Sequence, residues 1–405
     1  MSGRLNDVYK QKKILTQSAL ASAATLIPGF LKGFSGFNLS SSSEEKVLIV
    51  IQLSGGNDGL NTVIPFRDDL YYSLRPGISL PEKDIIKIAD SSGFNPVLKD
   101  MERLFKEGEM CILNNVGYPN PDRSHFRAMD IWQTGSESNE YLKTGWIGRY
   151  LDAKCDGCAL PHTAVEVDDS LSLALKGNTV NGFAVSHPEK MNKALSGTLI
   201  GQLADVDHHH LEQEQVSYLY KVLSEAKQSV NYLYNKSKIY KAKTTFPDTA
   251  FGKDLRLISE LISSGAETKV YYVSLSGFDT HNNQKNQQER LLKIYSEGMG
   301  ALAAELKVSG KWNNTLIMTF SEFGRRVEQN ASGGTDHGKA NCVFLNGGAL
   351  NKPGMYNEIS SLSMLDQGDL QYTIDFRNIY ATLLEKWLKA DASTILNKRF
   401  DLLKI

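Results

Sequence analysis

Carboxylate and imidazole side chains stand close together at points where the sequence pattern predicts the end of a strand. Asp336 and His337 are adjacent in S-G-G-T-D-H-G, and Asp279 and His281 flank one threonine in S-G-F-D-T-H. Imidazole and carboxylate are ligands that suit zinc, and carboxylate-rich positions also bind manganese, magnesium or calcium. These residues therefore predict a site for a divalent metal ion, whose identity the pattern leaves open.

The spacing of the two pairs indicates how each would bind metal. Neighbouring side chains on extended backbone point to opposite sides, whereas residues two apart share a side. Asp279 and His281 could thus reach a single ion, while Asp336 and His337 could each touch one of two ions. Two ions about 4 Å apart can clamp the attacking and leaving oxygens of a phosphoryl or sulfuryl transfer. Two further carboxylates at strand ends complete the expected ligand set: Asp58 and Glu322.

A serine at a predicted loop-to-helix junction, Ser124 in R-S-H-F-R-A-M-D-I-W, is the candidate nucleophile. The first N–H groups of a helix bind anions, and a nearby metal ion can activate a hydroxyl. Three arginines are candidates to hold a tetrahedral oxyanion: Arg123, Arg127 and Arg325. Structural roles are the alternative, because Asp58 could cap a helix and Glu322 could form a salt bridge with Arg325.

Five continuous apolar runs are typical of strands buried on both faces of a parallel sheet. They begin at Val47, Met110, Val270, Thr315 and Cys342. Helical patterns lie between them, and a C-terminal helix has Asp375 as its expected N-cap. This alternation predicts an α/β fold of three layers, with a mostly parallel central sheet between helices. Ligands of such sheets bind beyond the carboxyl ends of the strands, where the candidate residues lie.

The first 45 residues predict an export signal followed by a linker. Lys10, Lys12 and Lys13 precede an apolar run of small residues, and a serine-rich stretch then leads to Lys46. That run is too short and too rich in serine and threonine for a stable membrane span. We expect residues 46–405 to form a single domain with a cap-like insertion at about 155–253. Export to the periplasm or beyond follows from the signal, and a retained N-terminal helix in a cytoplasmic protein is the alternative.

The composition is ordinary for a globular protein, and its formal net charge of -1 argues against nucleic acid or an anionic membrane surface as the main partner. Cys111 and Cys342 lie in apolar runs and are expected to be buried. Cys155 and Cys158 form a C-x-x-C pair without the second pair of a zinc ribbon, so a local disulfide and free thiols both remain open. The histidines at 208–210 are expected on a solvated face.

These motifs together resemble the bacterial family called domain of unknown function 1501, which is placed in the alkaline phosphatase superfamily with the sulfatases. The matching segments lie between positions 53 and 388 and include L-S-G-G-N-D-G-L-N-T-V-I-P, R-S-H-F-R-A-M-D-I-W, S-G-F-D-T-H, S-E-F-G-R and G-G-T-D-H-G. The resemblance implies an alkaline-phosphatase-like fold and a two-metal hydrolase. Asp58 resembles the superfamily's first metal carboxylate, and Asp336-His337 resembles its adjacent pair, one residue for each metal. Asp279 and His281 resemble the remaining pair.

Two functions of different classes are consistent with the sequence. The first is a metal-dependent hydrolase of small phosphate or sulfate esters, with Ser124 as nucleophile. The second is a non-catalytic secreted binding or structural protein on a degenerate hydrolase scaffold, because D-x-H replaces the superfamily's D-x-x-x-H and no histidine follows His337. A Ser-His-Asp esterase would want G-x-S-x-G, and a Rossmann dehydrogenase would want G-x-G-x-x-G; neither motif is present as required.

Overall fold

The apolar run at Val47 forms the strand β1 (Val47–Ser54), which is buried over nearly its whole length in the computed structural model. The structure describes residues 46–154, 160–205 and 214–405. Side chains of β1 alternate between two separate apolar cores: Leu48 and Val50 face one, and Ile49 and Ile51 face the other. Both faces of this strand are therefore covered, as a run without polar interruptions predicts.

The remaining strands include all the runs that the sequence predicts. They are β2 (Val63–Ile64), β3 (Ile86–Lys87), β4 (Gly93–Phe94), β5 (Met110–Gly117), β6 (Ala164–Glu166), β7 (Phe183–Ala184), β8 (Val270–Ser276), β9 (Thr315–Phe320), β10 (Asn341–Asn346), β11 (Gly354–Met355), β12 (Leu365–Asp366), β13 (Asp369–Leu370) and β14 (Ile374–Asp375).

The α-helices lie mainly between the long strands. They are α1 (Asp69–Ser73), α2 (Lys99–Lys106), α3 (His125–Thr134), α4 (Trp146–Lys154), α5 (Pro188–Leu195), α6 (Leu199–Leu203), α7 (Glu214–Ile239), α8 (Ala250–Ser263), α9 (Gln284–Val308), α10 (Phe376–Thr382) and α11 (Ala392–Ile395). A π-helical turn, Leu383–Trp387, continues α10. The predicted N-cap of α10 is confirmed, since the Asp375 carboxylate accepts a hydrogen bond from the Arg377 N–H.

Nine of the described strands form the central sheet, in the order β11-β5-β10-β9-β1-β8-β6-β7, with β14 also paired to β5. Its pairings are parallel except those of β10, which runs antiparallel to β5 and β9. The predicted α/β fold with a mostly parallel central sheet is confirmed. Because β10 is reversed, its N-terminal end lies at the same edge as the carboxyl ends of β1, β5, β8 and β9.

Helices cover the two faces of this sheet and make it the middle of three layers. One core takes side chains from α2, α8 and α9, and the other takes side chains from α3, α4 and α10. Cys111 and Cys342 are buried free thiols, as expected.

The stretch 155–253 contributes β6 and β7 to one edge of the sheet and also contains α5, α6 and α7. The cap-like role of this stretch and the division of the chain into domains stay predictions. The export-signal segment, the pair Cys155 and Cys158, and the histidines at 208–210 lie outside the described residues. Among the helices of the described residues, none is long and apolar enough to cross a membrane.

Gly55, directly after β1, packs against the backbone that follows β8. Its φ is +117°, and a Cβ atom there would overlap the amide nitrogen of Asp279. We expect Gly55→Ala to lower the free energy of unfolding by clearly more than the roughly 1–2 kcal/mol that a positive φ costs an alanine. Gly310→Ala is the matched control, since Gly310 also has a positive φ but would place its Cβ within 4 Å of nothing. Equal losses in urea unfolding of the two variants would contradict the expectation.

Glu166, the last residue of β6, is a buried carboxyl group. Burial raises its pKa from 4.5 to about 7, although the Ser172 N–H donates to Oε2 at 2.6 Å. The folded protein therefore binds this proton more tightly than the unfolded chain, and stability falls as the pH rises from about 4.5 through 7.

We expect Glu166→Gln to match the natural protein in free energy of unfolding at pH 4. At pH 8 the variant should be more stable by roughly 2–4 kcal/mol. Deprotonation of Glu166 stabilises the unfolded natural chain at this pH, and an amide at this position has no such effect. Denaturant titrations at both pH values measure this difference. A stability gain that is the same at pH 4 and pH 8 would argue against a buried neutral acid.

Candidate metal centre

Three histidines direct their Nε2 atoms at one carboxylate oxygen, Oδ1 of Asp279. The distances to this oxygen are 2.9 Å from His281, 3.1 Å from His337 and 3.3 Å from His125. The Nε2 atoms of His281 and His337 are themselves 3.0 Å apart. Within the described residues, ligand atoms of His125, Asp279 and His337 all lie within 4.8 Å of one another. We refer to His125, Asp279, His281 and His337 as the His/Asp cluster.

Segments that follow or precede different strands bring the His/Asp cluster together at one edge of the sheet. Asp279 and His281 follow β8, and His125 is the first residue of α3, which comes after β5. His337 precedes β10, whose reversed direction places its N-terminal end at this edge. Strand order and direction thus account for the meeting of residues that are far apart in sequence.

The segment of His337 is held in place by short-range pairing. Arg325 and His337 form an antiparallel β-bridge, with a hydrogen bond of 2.8 Å from the Gly338 N–H to the Gly324 carbonyl oxygen. Gly334 packs so closely on the backbone of His281 that a Cβ atom would overlap it. Gly334 of S-G-G-T-D-H-G therefore lets this loop lie directly on the loop that carries Asp279 and His281.

Each histidine of the cluster has its other ring nitrogen, Nδ1, near an oxygen outside the cluster. The contacts are His337 to the Arg123 carbonyl oxygen at 2.8 Å, His125 to Glu322 Oε1 at 3.2 Å and His281 to Asp336 Oδ1 at 3.6 Å. In His337 and His125, whose contacts are of hydrogen-bond length, a proton on Nδ1 that is donated to such an oxygen leaves the Nε2 lone pair free for the interior of the cluster. Metal-binding histidines are oriented in this way by carboxylates and carbonyl oxygens.

The cluster combines a charged carboxylate with imidazoles of different basicity. Burial alone would raise the pKa of Asp279, but its contacts with His337 and with Arg325, whose guanidinium donates to Oδ1, lower it to about 2. The hydrogen bond with Glu322 raises the pKa of His125, whereas burial lowers that of His337. Asp279 is therefore a fixed negative charge at neutral pH, and His337 is a neutral lone-pair donor.

The donor set fits a divalent cation. Three imidazole nitrogens and one ionised carboxylate oxygen are a common complement for such an ion. The buried Nε2 of His125 makes no well-aligned hydrogen bond, although Asp279 Oδ1 is 3.3 Å away. A buried nitrogen aimed at a shared point without a hydrogen bond indicates a place for a ligand rather than a finished protein contact.

Two of the predicted metal-binding carboxylates, Glu322 and Asp336, each contact a histidine of the cluster but are not part of it. Glu322 is fully buried, and its Oε1 accepts a hydrogen bond of 2.7 Å from the Gly55 N–H besides facing His125. Asp336 is 61% exposed and faces His281 rather than the centre of the cluster. Glu322 lies beside His125 and Asp336 beside His281, where each can orient the imidazole ring. Of the adjacent residues Asp336 and His337, the histidine is thus a member of the cluster and the aspartate lies next to it.

Asp58 lies apart from the other predicted ligands. Its Oδ2 is 2.7 Å from Nη1 of Arg75 and also accepts a hydrogen bond from Gln284. Both members of this ion pair are almost completely buried. The structure does not bring Asp58 into the His/Asp cluster, because the Arg75 guanidinium neutralises its carboxylate.

The three arginines expected to hold an oxyanion are engaged within the protein. The Arg123 guanidinium bonds Asp369, and Arg127 donates to backbone oxygens at positions 137, 138 and 140. Arg325 is buried and bonds Asp279 together with backbone carbonyl oxygens. Thus Arg123 contributes to the site through its carbonyl oxygen. Arg325 contributes through its guanidinium, which stabilises the ionised carboxylate of Asp279.

Ser124 is the N-cap residue of α3, and it is exposed beside His125. Its hydroxyl caps no N–H group of the helix, while its own backbone N–H donates to Asp122 Oδ1 at 2.7 Å. The sequence pattern predicts a role for Ser124 but none for His125 as a metal ligand, although both residues stand in the same motif. At a loop-to-helix junction no two-residue periodicity fixes which side chain faces the site, so the pattern R-S-H-F could not separate them.

Comparisons with known proteins identify a family for nearly the whole chain. A family model described as "Protein of unknown function (DUF1501)" matches residues 45–397. No curated protein matches the sequence.

Solved structures similar to this chain include a periplasmic domain, a sulfatase and a phosphonate monoester hydrolase. The C-terminal periplasmic domain of EcEptC from Escherichia coli, in complex with Zn, is 10% identical over 76% of this chain and 75% of that chain, with a TM-score of 0.36. The PsFucS1 sulfatase from Pseudoalteromonas sp. is 12% identical over 89% and 70%, with a TM-score of 0.40. The phosphonate monoester hydrolase SpPMH from Silicibacter pomeroyi is 10% identical over 88% and 77%, with a TM-score of 0.39. Likeness at this level transfers neither activity nor residue roles to this chain.

Glu322→Gln tests the orienting role of Glu322. An amide weakens the contact that holds the His125 ring, so we expect the dissociation constant for Zn²⁺ to rise about 10–100-fold. Competition with a chromophoric chelator measures this constant. The matched control is Glu305→Gln, another buried carboxylate, which bonds Tyr240 and the backbone at 243 and 244. Equal weakening in both variants would show that the effect is a general loss of stability.

Proposed function

The chain belongs to the DUF1501 family, and we propose that its His/Asp cluster is the centre of a metal-dependent hydrolase of phosphate or sulfate esters. The observation that carries the proposal is the convergence of the Nε2 atoms of His125, His281 and His337 on Asp279 Oδ1. A divalent ion held there supplies a Lewis acid for an ester oxygen. The motif resemblance to the alkaline phosphatase superfamily supports the same class of reaction.

The donor set favours zinc among the four metals that the sequence leaves open. Three nitrogen donors and one oxygen suit Zn²⁺, whereas Ca²⁺ and Mg²⁺ prefer sites built from oxygens. The fixed charge of Asp279 balances part of the charge of the ion. His125, His281 and His337 would hold the ion through Nε2, each turned by its contact at Nδ1.

The beginning of α3 is suited to binding the anionic part of the substrate. The first N–H groups of a helix have no partner within it, and the Ser124 hydroxyl does not cap them. Such groups bind phosphate or sulfate oxygens, and here they lie next to His125 of the cluster. Anion binding by backbone N–H groups also takes over the role that the engaged arginines Arg123 and Arg325 cannot perform.

Ser124 is the proposed nucleophile. It is exposed at the N-cap of α3, its hydroxyl is not used for capping, and it precedes a cluster member in the chain. Attack of its oxygen on the phosphorus or sulfur atom would release the alcohol and leave an ester on the serine, which water then hydrolyses. The exported location proposed from the first 45 residues is compatible with such an activity on external esters.

The protein loaded with Zn²⁺ should hydrolyse p-nitrophenyl phosphate or p-nitrophenyl sulfate, with Mn²⁺, Mg²⁺ and Ca²⁺ as parallel assays. His337→Ala should lose both bound metal and turnover. Ser124→Ala should retain its metal and lose about 100-fold or more in kcat, because only the attacking group is removed. Metal content and release of p-nitrophenol are measured on the same preparations. Full turnover in Ser124→Ala would exclude the serine as nucleophile.

A binding or structural protein on a hydrolase scaffold is the second candidate function. The engagement of the three arginines within the protein favours it, because Arg127 and Arg325 are buried and bonded to backbone oxygens and Arg123 is paired with Asp369. Zinc binding without turnover of either ester, together with vanadate or sulfate binding that depends on His337, would support this second function over the first.

A further inference from the structure

A buried network of charges lies beside the His/Asp cluster, and its anchor is the ion pair of Asp58 and Arg75. Besides its contact of 2.7 Å with Asp58, the Arg75 guanidinium donates to the carbonyl oxygens of Val327 at 2.7 Å and Arg326 at 2.8 Å. Gln284 donates to the same Asp58 oxygen and accepts from the Thr335 hydroxyl at 2.6 Å. Oδ2 of Asp58 is thus held by two donors that have further partners of their own, whereas its buried Oδ1 makes no hydrogen bond.

Arg325 is the second guanidinium of this network. Its Nη2 donates to Asp279 Oδ1 at 3.0 Å and to the carbonyl oxygens of Gly55 and Phe278 at 2.6 and 2.8 Å. Its Nε donates to the Gly56 carbonyl oxygen at 2.7 Å. The Arg325 charge therefore stands among the loops that carry Asp58 and Asp279, and carbonyl oxygens hold it there.

These contacts leave little reason for a second metal ion near Asp58. The buried carboxylate of Asp58 and the half-exposed carboxylate of Asp279 already have the buried guanidinium groups of Arg75 and Arg325 as counter-charges. A second divalent ion at Asp58 would be repelled at close range by the Arg75 guanidinium. Oδ1 of Asp58 makes no hydrogen bond, but an ion there would share the carboxylate with Arg75, and an ion that took the whole carboxylate would leave a buried guanidinium unpaired.

We propose that this protein holds a single metal ion in the His/Asp cluster, with Arg75 as a permanent cation beside Asp58, where a second ion would otherwise bind. The proposal rests on the proposed metal site and departs from the two-metal arrangement that the sequence resemblance implies. The positive charge that a second ion would bring is built into the chain, so the site needs one ion only. Asp58 then has a structural role and is no ligand.

Metal content and spin coupling test the proposal without reference to activity. Purified protein dialysed against excess Zn²⁺ and then freed of unbound metal should contain about one ion per chain. Loaded with Mn²⁺, it should give the electron paramagnetic resonance spectrum of an isolated ion at every loading. The spectrum of an exchange-coupled pair, or about two ions per chain, would overturn the single-ion proposal while leaving the proposed hydrolase in place. Protein that binds no ion would overturn both.

Variants separate the two carboxylates. Asp279→Asn should raise the dissociation constant for Zn²⁺ by about 100-fold or more, as expected for loss of a ligand. Asp58→Asn should keep about one ion per chain and a dissociation constant within about threefold of the natural value. Since Asp58→Asn leaves Arg75 buried without a carboxylate, the double variant Asp58→Asn with Arg75→Gln removes both charges and guards against unfolding. A folded double variant that has lost its metal would make Asp58 a ligand and refute the proposal.

Discussion

The guanidinium of Arg325 is the interaction on which the arrangement of the site depends. Its donors bind carbonyl oxygens at Gly55 and Gly56 after β1, at Phe278 after β8 and at Thr335 before β10. Loops at a sheet edge have no ladder to align them, and backbone oxygens buried there need donors. A single planar group with several fixed N–H directions satisfies these oxygens and sets the spacing of the loops at once.

The histidines depend on this alignment because their orientation comes from neighbouring loops. The carboxylate that turns His125 follows β9, and the carbonyl oxygen that turns His337 belongs to the segment before α3. The same holds for His281, which follows β8, because Asp336 beside it comes from the loop before β10. The site is therefore a property of packed strand ends.

The sequence predicts the fold well because long apolar runs without polar interruptions have few alternatives to buried strands. It also predicts that Asp279, His281 and His337 meet, since strand ends of one sheet share an edge. It does not reveal that β10 runs antiparallel or that Arg75 reaches Asp58, because Arg75 lies in a short irregular segment with no periodic signal. The sequence also does not predict the roles of Glu322 and His125, because loop conformation decides which side chain faces an ion.

Arg123 and His125 belong to one short segment, and this has a consequence for evolution of the site. The carbonyl oxygen of Arg123 orients His337, His125 supplies its own ring, and Asp369 holds the Arg123 side chain. Two of the three rings thus share a support. A sequence change that shifts this segment would disturb both rings together, so substitutions here cannot be compensated one ligand at a time. Variation in this region is expected to be conservative or to abolish the metal centre as a unit.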